Sequence, residues 1–532
     1  MKNRKITGFT SQQGLKLVRI EHQGMSKIVP LSRLVSSPAE VKAYLTGLGL
    51  TVAANSTVAA IQKQIENIRT WESCRIASEV GWNGDTFFVL PTMEVVKAED
   101  DEVVVHNLQS ELSPNRAGKG ASWKKLVASP LVGHKVPTFV LSFSFMPPLL
   151  DLSSRSTNVL FEIVSAPAKG KTTIQQLAAS VWGCPSRNAG VPFLIPMDTT
   201  VNGLEETMMS RADLPLILDE ANLFESHLTP AARGDAFRAI AFKLASGNEK
   251  QRYGASVDPK GYRLGALIST NDPLSELLQQ DSSASRAAQE RLLTIPIDRE
   301  SEFGVFDFVA REYSNAGHFA SSVSNAADAN FGHAGRRFIK RLVADRAKDE
   351  IALQSKIEGF VAEFRSHVRI DQDDGSAIRI SEAFGLVYAA GKLAKKYGCL
   401  PSKMDCLEAV AYCYHLNRAH ENKHRPFVER LSDLIASQGT VIWKDFHPVK
   451  VSKADVILRK KKGRNELWVR STAIKIVFPD WDQIKNSNQV LDYLHRDKSN
   501  RKSVRRKAGE NLKKVKMYVF IVNGEEFDLT SK

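Results

Sequence analysis

Residues 161 to 182 read FEIVSAPAKGKTTIQQLAASVW, and the fold of the chain turns on that stretch. A β-type apolar run, Val159 to Val164, passes through a loop of small residues into Gly170-Lys171-Thr172 and then into a helical pattern. A phosphate-binding loop needs inward backbone N–H groups, a lysine for the outer phosphates and a hydroxyl for magnesium. Gly170, Lys171 and Thr172 meet the last three positions of GxxxxGK[ST], and Thr173 follows them. Ser165 stands where the first glycine belongs; it is small enough for the turn, but a positive φ there would cost it energy. The helix opening at Thr172 adds its N-terminal dipole to an anion site.

Working outward, LPLILDEANLF places Asp219-Glu220 at the end of an apolar strand. A carboxylate there can hold a magnesium shell, and a second beside it can polarise an attacking water; the competing reading is an N-cap aspartate. RLGALISTNDPL is a further strand ending in Thr270-Asn271. Asn271 is a candidate γ-phosphate sensor or, equally, a turn asparagine before Asp272-Pro273. SRAAQERLLTIPI puts Arg286 and Arg291 before another strand. Arg291, at the strand edge, is preferred as an arginine finger reaching a neighbour's γ-phosphate, against the alternatives of Arg286 or an exposed helix arginine.

The 532 residues are too many for one ordinary core, and 43% hydrophobic with 25% charged residues describes a soluble globular protein. PTFVLSFSFMPPLLDL, 137 to 152, is too short and too proline-broken to span a membrane and reads as buried core. The charged start MKNRKITGFTSQQG has no signal-peptide core. Five cysteines make no disulfide framework, and the cytoplasm is the expected location. Cys399, Cys406 and Cys413 recur every seven residues near His415, a spacing that fits a packed helix face better than zinc. Charge is uneven: residues 441 to 532 hold 22 Lys/Arg against 11 Asp/Glu, a net +11 of the total +14. A basic end on a nearly neutral body points to an anionic polymer, the bland alternative being a solvated face.

Four domains are expected. Residues 1–115 mix strands (LKLVRIEH, TFFVLP, EVVVH) with the helical VAAIQKQIENIRTW, and SPNRAGKGAS at 113 to 122 reads as a linker. From 116 to 300 strands alternate with helices, the mark of a parallel sheet. From 301 to 435 the pattern is helical, as in RRFIKRLVADRAKDEIALQSKIEGFVAEF. The module 436–532 includes a probable hairpin, ADVILRKKKGRNELWVR. Its basic tip after a helix resembles a winged helix, and Lys460, Lys461, Lys462, Arg505 and Arg506 are expected to meet phosphates with steep salt dependence. Trp443, Trp468 and Trp481 read as core.

The order of phosphate loop, acidic pair, polar strand tip and arginine is that of the AAA+ class of ring ATPases. More specifically, FMPPLL, SAPAKGKTTIQQLAASVWG, DTTVNGLEETM, LPLILDEANL, LASGNEKQRYG, LISTNDPLSEL, QERLLTIPI and RISEAFGLVYAAGKLA resemble, in order and spacing, the domain of unknown function 927 family. The resemblance covers about residues 70 to 420. That family includes cassette chromosome helicases of mobile genetic elements, whose motor looks like the replicative MCM helicases. It implies an α/β P-loop motor with a helical lid, ATP and Mg2+, a homo-oligomeric ring expected to be a hexamer, and DNA as partner; the sequence has no recognisable primase module, so a separate primase or loader is the further partner expected. Lys171 and Thr172 match its nucleotide loop, Asp219 and Glu220 its metal and catalytic carboxylates, Asn271 its sensor and Arg291 its finger. Arg379 matches an arginine at the start of the lid helix, where a second sensor would sit. Ser165, Pro167 and Lys169 depart from the family loop, which bears on ATP affinity rather than fold. QRYGASVDPKGYRLGAL resembles a pre-sensor hairpin, with Lys260 at the tip and Lys250 and Arg252 before it as candidate pore contacts to DNA phosphates; an exposed turn lysine is the alternative. The function expected is that of an ATP-dependent DNA helicase or translocase. An oligomeric ATPase for remodelling, sensing or defence, and a P-loop phosphotransferase, are the other readings.

Overall fold

The computed structural model describes residues 4–11, 14–22, 25–50, 55–77, 79–84, 87–98, 103–105, 116–155, 157–186, 192–247, 261–277, 291–298, 301–370, 375–424, 427–436, 440–443, 454–460, 465–478, 481–486, 488–495, 504–506, 515–522 and 527. They fall into two compact units, Met1–Leu416 and Asn417–Lys532.

The first unit is built on a parallel sheet ordered Leu194–Pro196, Leu214–Asp219, Leu264–Thr270, Val159–Val164, Leu292–Pro296. The four longer strands are mainly apolar and buried on both faces, as helix-covered parallel strands must be, and Leu194–Pro196 at the sheet edge is more open. Because all run the same way, their C-terminal ends share one edge, where Thr270 lies opposite Val164. The strand Leu264–Thr270 sits between Val159–Val164 and Leu214–Asp219. The stretch 137–152 is the buried helix Lys135–Ser144 followed by a 3-10 turn, Pro147–Leu152. Phe139 and Phe143 from it meet Phe161 of the sheet and Phe384 of the helix Gly375–Lys396, with ring centroids 5.0 to 5.7 Å apart.

The N-terminal part forms its own sheet, ordered Met25–Pro30, Lys16–His22, Arg4–Ser11, Glu72–Ala77, Val103–Val105. Its first strand lies within the charged start that carried no structural expectation; its tertiary neighbours, with Phe9 buried, make it a strand. A small sheet of Gly81–Trp82, Phe87–Val89 and Val95–Lys97 joins this part to the motor. There Trp82 donates from Nε1 to the Pro148 carbonyl and from its backbone N–H to Asp213, both at 2.9 Å. The expected linker is docked where it is described. Arg116 pairs with Glu94 at 3.1 Å, Ala117 forms a β-bridge with Phe331, and Trp123 is buried with its Nε1 on Ser180 at 2.8 Å. Residues 116–122 stay largely exposed, as their polar composition suggests, while their backbone finds protein partners. The expected boundaries at 115 and 300 thus lie inside one unit.

Helices Ala316–Ala329, His333–Lys348, Glu350–His367 and Gly375–Lys396 complete the unit. Asp349 divides the long helical run by capping Ala352 N–H at 2.9 Å. Cys399, Cys406 and Cys413 are core residues. Burial pushes the Cys399 thiol up to about 12 and raises the other two. His415, two residues after buried Cys413, is exposed.

The second unit carries a sheet ordered Val441–Trp443, Val456–Arg459, Glu466–Arg470, Val515–Ile521, Val504–Arg506. The hairpin is there, antiparallel, with Arg459 opposite Glu466; residues 461–464 at its tip lie outside the described residues. The helix Phe427–Ala436 buries Phe427, Leu431 and Ile435 in this unit's core. The helix and hairpin behind the winged-helix likeness belong to this larger five-stranded sheet. Trp468 and Trp481 are core; Trp443 is half-buried, under the guanidinium of Arg459.

Candidate functional site: a cleft at the strand ends

At the C-terminal edge of the parallel sheet lies a cleft of about 720 Å³, lined by residues 167–173, Asp219, Glu220, Ser269 to Asn271, and residues from 302 to 320. Ligands in open parallel sheets sit at this edge because loops diverge there.

The loop answers the question posed by Ser165. Its backbone N–H continues the strand by donating to the Thr270 carbonyl at 3.2 Å, and it is buried outside the left-handed region. The substitution for glycine therefore meets no backbone penalty. The left-handed residues are Ala168, at φ 59°, and Gly170, at φ 90°; a Cβ on Gly170 would stand 2.9 Å from Val305 Cγ2. Alanine at such a φ costs roughly 1–2 kcal/mol, so the strain lies three residues beyond the position that sequence singled out.

Lys171 Nζ donates to the carbonyls of Ser165 at 2.7 Å and Ala166 at 3.1 Å, to Ser165 Oγ at 3.2 Å and to Asn271 Oδ1 at 3.0 Å. Burial lowers its pKa, and Asp272 opposes that shift. Thr172 and Thr173 line the cleft in the first turn of the helix Lys171–Ser180.

Asp219 is buried, and its Oδ1 accepts from Ser269 Oγ at 2.6 Å and from the Glu220 N–H at 2.9 Å. These are ties to the neighbouring strand and the next residue; the position capping the following turn, Ala221–Leu223, is Glu220, so the N-cap reading of Asp219 does not describe it. Glu220 is exposed in the cleft with φ 56°. Asn271 touches Lys171 and is more than a turn former. A loop lysine, an acidic pair and a polar strand tip from three separate strands thus converge, and a carboxylate beside a hydroxyl-bearing phosphate loop is a donor set suited to Mg2+.

Sequence reasoning missed the segment 301–306. Val305 N–H donates to the Lys169 carbonyl at 2.9 Å, and Lys169 Nζ to the Ser301 carbonyl at 2.8 Å. Gly304, at φ 64°, lies so close that a Cβ would stand 2.3 Å from that Lys169 carbonyl. Phe303 and Phe306, with Ala316, Gly317 and Ala320, close the wall beside it. Gly304 between apolar residues was the available signal. Ser269 was missed too, since a serine late in an apolar strand carries no motif.

Arg291 and Arg379 are not in the cleft. Arg291 is exposed, its guanidinium 4.8 Å from the Phe242 ring, and it precedes Leu292, which lies opposite Leu160 near the start of the phosphate-loop strand. Arg379 is exposed, and its carbonyl accepts from Arg155 Nη1 at 2.9 Å, also before that strand. Both therefore mark the sheet edge opposite the cleft, roughly 16 Å away along five residues of strand. Lys250, Arg252, Lys260, Arg286, Lys461 and Lys462 lie outside the described residues. Tyr262 N–H donates to the Gly247 carbonyl at 2.6 Å, and Asn158 bridges Tyr262 and Leu264; the turn of the expected pre-sensor hairpin lies outside the described residues. Lys460 is half-buried at the end of its strand, and Arg505 and Arg506 lie on the edge strand of the second unit.

No curated protein matches the chain. A solved structure described as the active helicase Cch of SCCmec type IV is similar over 98% of this chain and 93% of its own, with a TM-score of 0.61 at 14% identity. That likeness is one of fold, an α/β protein around a parallel five-stranded sheet. The family match begins earlier than the motifs had indicated, within the N-terminal sheet, and stops before the sensor strand. It assigns residues 11–258 of this chain to DUF927, the domain of unknown function 927.

Proposed function

We propose that the protein is an ATP-dependent DNA helicase or translocase of a mobile genetic element, working as a homo-oligomeric ring. The observation that carries this reading is the convergence of Lys171, Asn271, Asp219 and Glu220 on one cleft at the strand ends. Lys171 and the loop N–H groups would hold the outer phosphates. Thr172 and Asp219 would hold Mg2+, which when bound neutralises phosphate charge. Glu220 would orient the attacking water, and Asn271 would sense the γ-phosphate. Arg291 and Arg379, at the opposite edge of their own sheet, suit a site completed by a neighbouring subunit, the arrangement in which an arginine finger acts in trans. The residues 301–435 would act as the lid. The basic second unit, read as winged-helix-like in role, and Lys250, Arg252 and Lys260 would supply phosphate contacts without base readout. The solved structure of similar fold is named as a helicase, which favours unwinding among the uses of such a motor.

The test is ATP hydrolysis by the purified protein with and without single-stranded DNA, with Glu220→Gln as the blank, followed by unwinding of a forked duplex. DNA-stimulated turnover with strand displacement is expected. Turnover indifferent to DNA would move the reading to a remodelling or sensing ATPase, and no turnover would remove the nucleotide site.

A further inference from the structure

Glu162 sits in the middle of the strand Val159–Val164, all six residues of which are buried, and it is itself 0% exposed. A carboxylate in such a place costs several kcal/mol unless it is hydrogen-bonded, and an apolar residue would serve packing better. Its hydrogen bonds indicate what it is for. Oε1 accepts from Thr270 Oγ1 and from the Leu274 N–H, both at 2.8 Å, and Oε2 accepts from Thr294 Oγ1 at 2.7 Å. Thr270 immediately precedes Asn271, and Leu274 follows it by three residues. One carboxylate oxygen therefore grips both ends of the turn that presents Asn271 to Lys171 at 3.0 Å. The other oxygen ties the same group to the last strand of the sheet, where Thr294 lies opposite Glu162 in the ladder. Bonds to an ionised acceptor are shorter and stiffer than neutral ones, which suits a strut.

We propose that Glu162 is the positioning residue for Asn271: it fixes the sensor turn against the phosphate-loop strand, so that the side chain reading the outer phosphate is set from beneath the cleft. This rests on the nucleotide-site reading above. A neutral amide keeps the shape of Glu162, but one of its ends donates where the carboxylate accepted, so a partner must turn and the strut slackens.

The experiment compares full-length wild type, Glu162→Gln, Asn271→Ala, the double variant and Thr270→Val, which strips one hydroxyl from the strut without touching the core carboxylate. Steady-state hydrolysis, binding of a fluorescent ATP analogue and thermal melting are recorded for each. Expected is a fall in kcat of about tenfold or more in Glu162→Gln and Thr270→Val, as for a catalytic group displaced by less than an ångström. Analogue affinity should stay within about threefold, and Glu162→Gln should add nothing to the loss already present in Asn271→Ala, as for two residues acting as one unit. The inference is overturned by unchanged kcat in Glu162→Gln and Thr270→Val, or by losses that multiply in the double variant. Loss confined to stability or nucleotide affinity, with kcat of the folded protein intact, would also overturn it, since that is the behaviour of a plain core residue. A wild type that does not hydrolyse ATP, or Asn271→Ala at full rate, overturns the nucleotide-site reading and this inference with it.

Discussion

Glu220 and Asp219 are adjacent carboxylates with different surroundings. Asp219 is buried and tied to Ser269 and the following backbone, a fixed acceptor suited to a metal shell. Glu220 is exposed, on a left-handed backbone that a β-carbon makes costly. That geometry suits the proposed contact with the attacking water. Glu220→Gln is expected to bind nucleotide with affinity within a few-fold of wild type while turnover falls about 10²- to 10⁴-fold, measured by analogue titration and phosphate release. Full turnover would sink the assignment.

At the scale of elements, the phosphate loop is held from outside by 301–306 and that segment by His134. The His134 ring takes the Asp307 N–H on Nδ1 at 3.1 Å and stacks on Phe308, with centroids 4.2 Å apart. Burial lowers its pKa from 6.5 to about 4, with Asp307 pulling the other way. A histidine whose folded pKa lies below its unfolded one stabilises the fold fully above about 6.5, and that contribution is lost as pH falls toward 4, on the order of 3 kcal/mol. The melting temperature of wild type should thus drop more steeply than that of His134→Gln between pH 6.5 and 4; parallel curves would refute the linkage. Gly304→Ala is expected to cost about 2–4 kcal/mol, because it adds a Cβ against a backbone carbonyl to an unfavourable φ. Nucleotide affinity should weaken with it, as melting and titration would report; unchanged values for both would show that the segment does not brace the loop.

For the molecule as a whole, the separation of Arg291 from its own cleft sets the prediction. If each site borrows an arginine from a neighbour, Arg291→Ala and Lys171→Ala, each inactive alone, should recover part of the wild-type hydrolysis when mixed, because some interfaces then pair an intact loop with an intact arginine. The recovered rate is measured across mixing ratios, and none at any ratio would count against a shared site.

Much of the motor was legible in the sequence. The strands Val159–Val164, Leu214–Asp219 and Leu264–Thr270 and the residues at their tips follow from local patterns: an apolar run ending in Gly-Lys-Thr, Asp-Glu or Thr-Asn. Such patterns are carried by neighbours in the chain, so they survive without the fold. What stayed hidden depends on contacts between residues far apart in sequence. The stretch 113–122 read as a plain linker, and the contacts of its described part with Glu94 and Phe331 could not be seen because those partners lie elsewhere in the chain. Arg291 was expected to reach a neighbour's γ-phosphate, and order along the chain does not say which end of its strand faces the cleft. The strand direction that settles it is a property of the whole sheet. Glu162 passed as one more residue of an apolar strand, since the need for a carboxylate there exists only once Thr270, Leu274 and Thr294, more than a hundred residues away, have been folded around it.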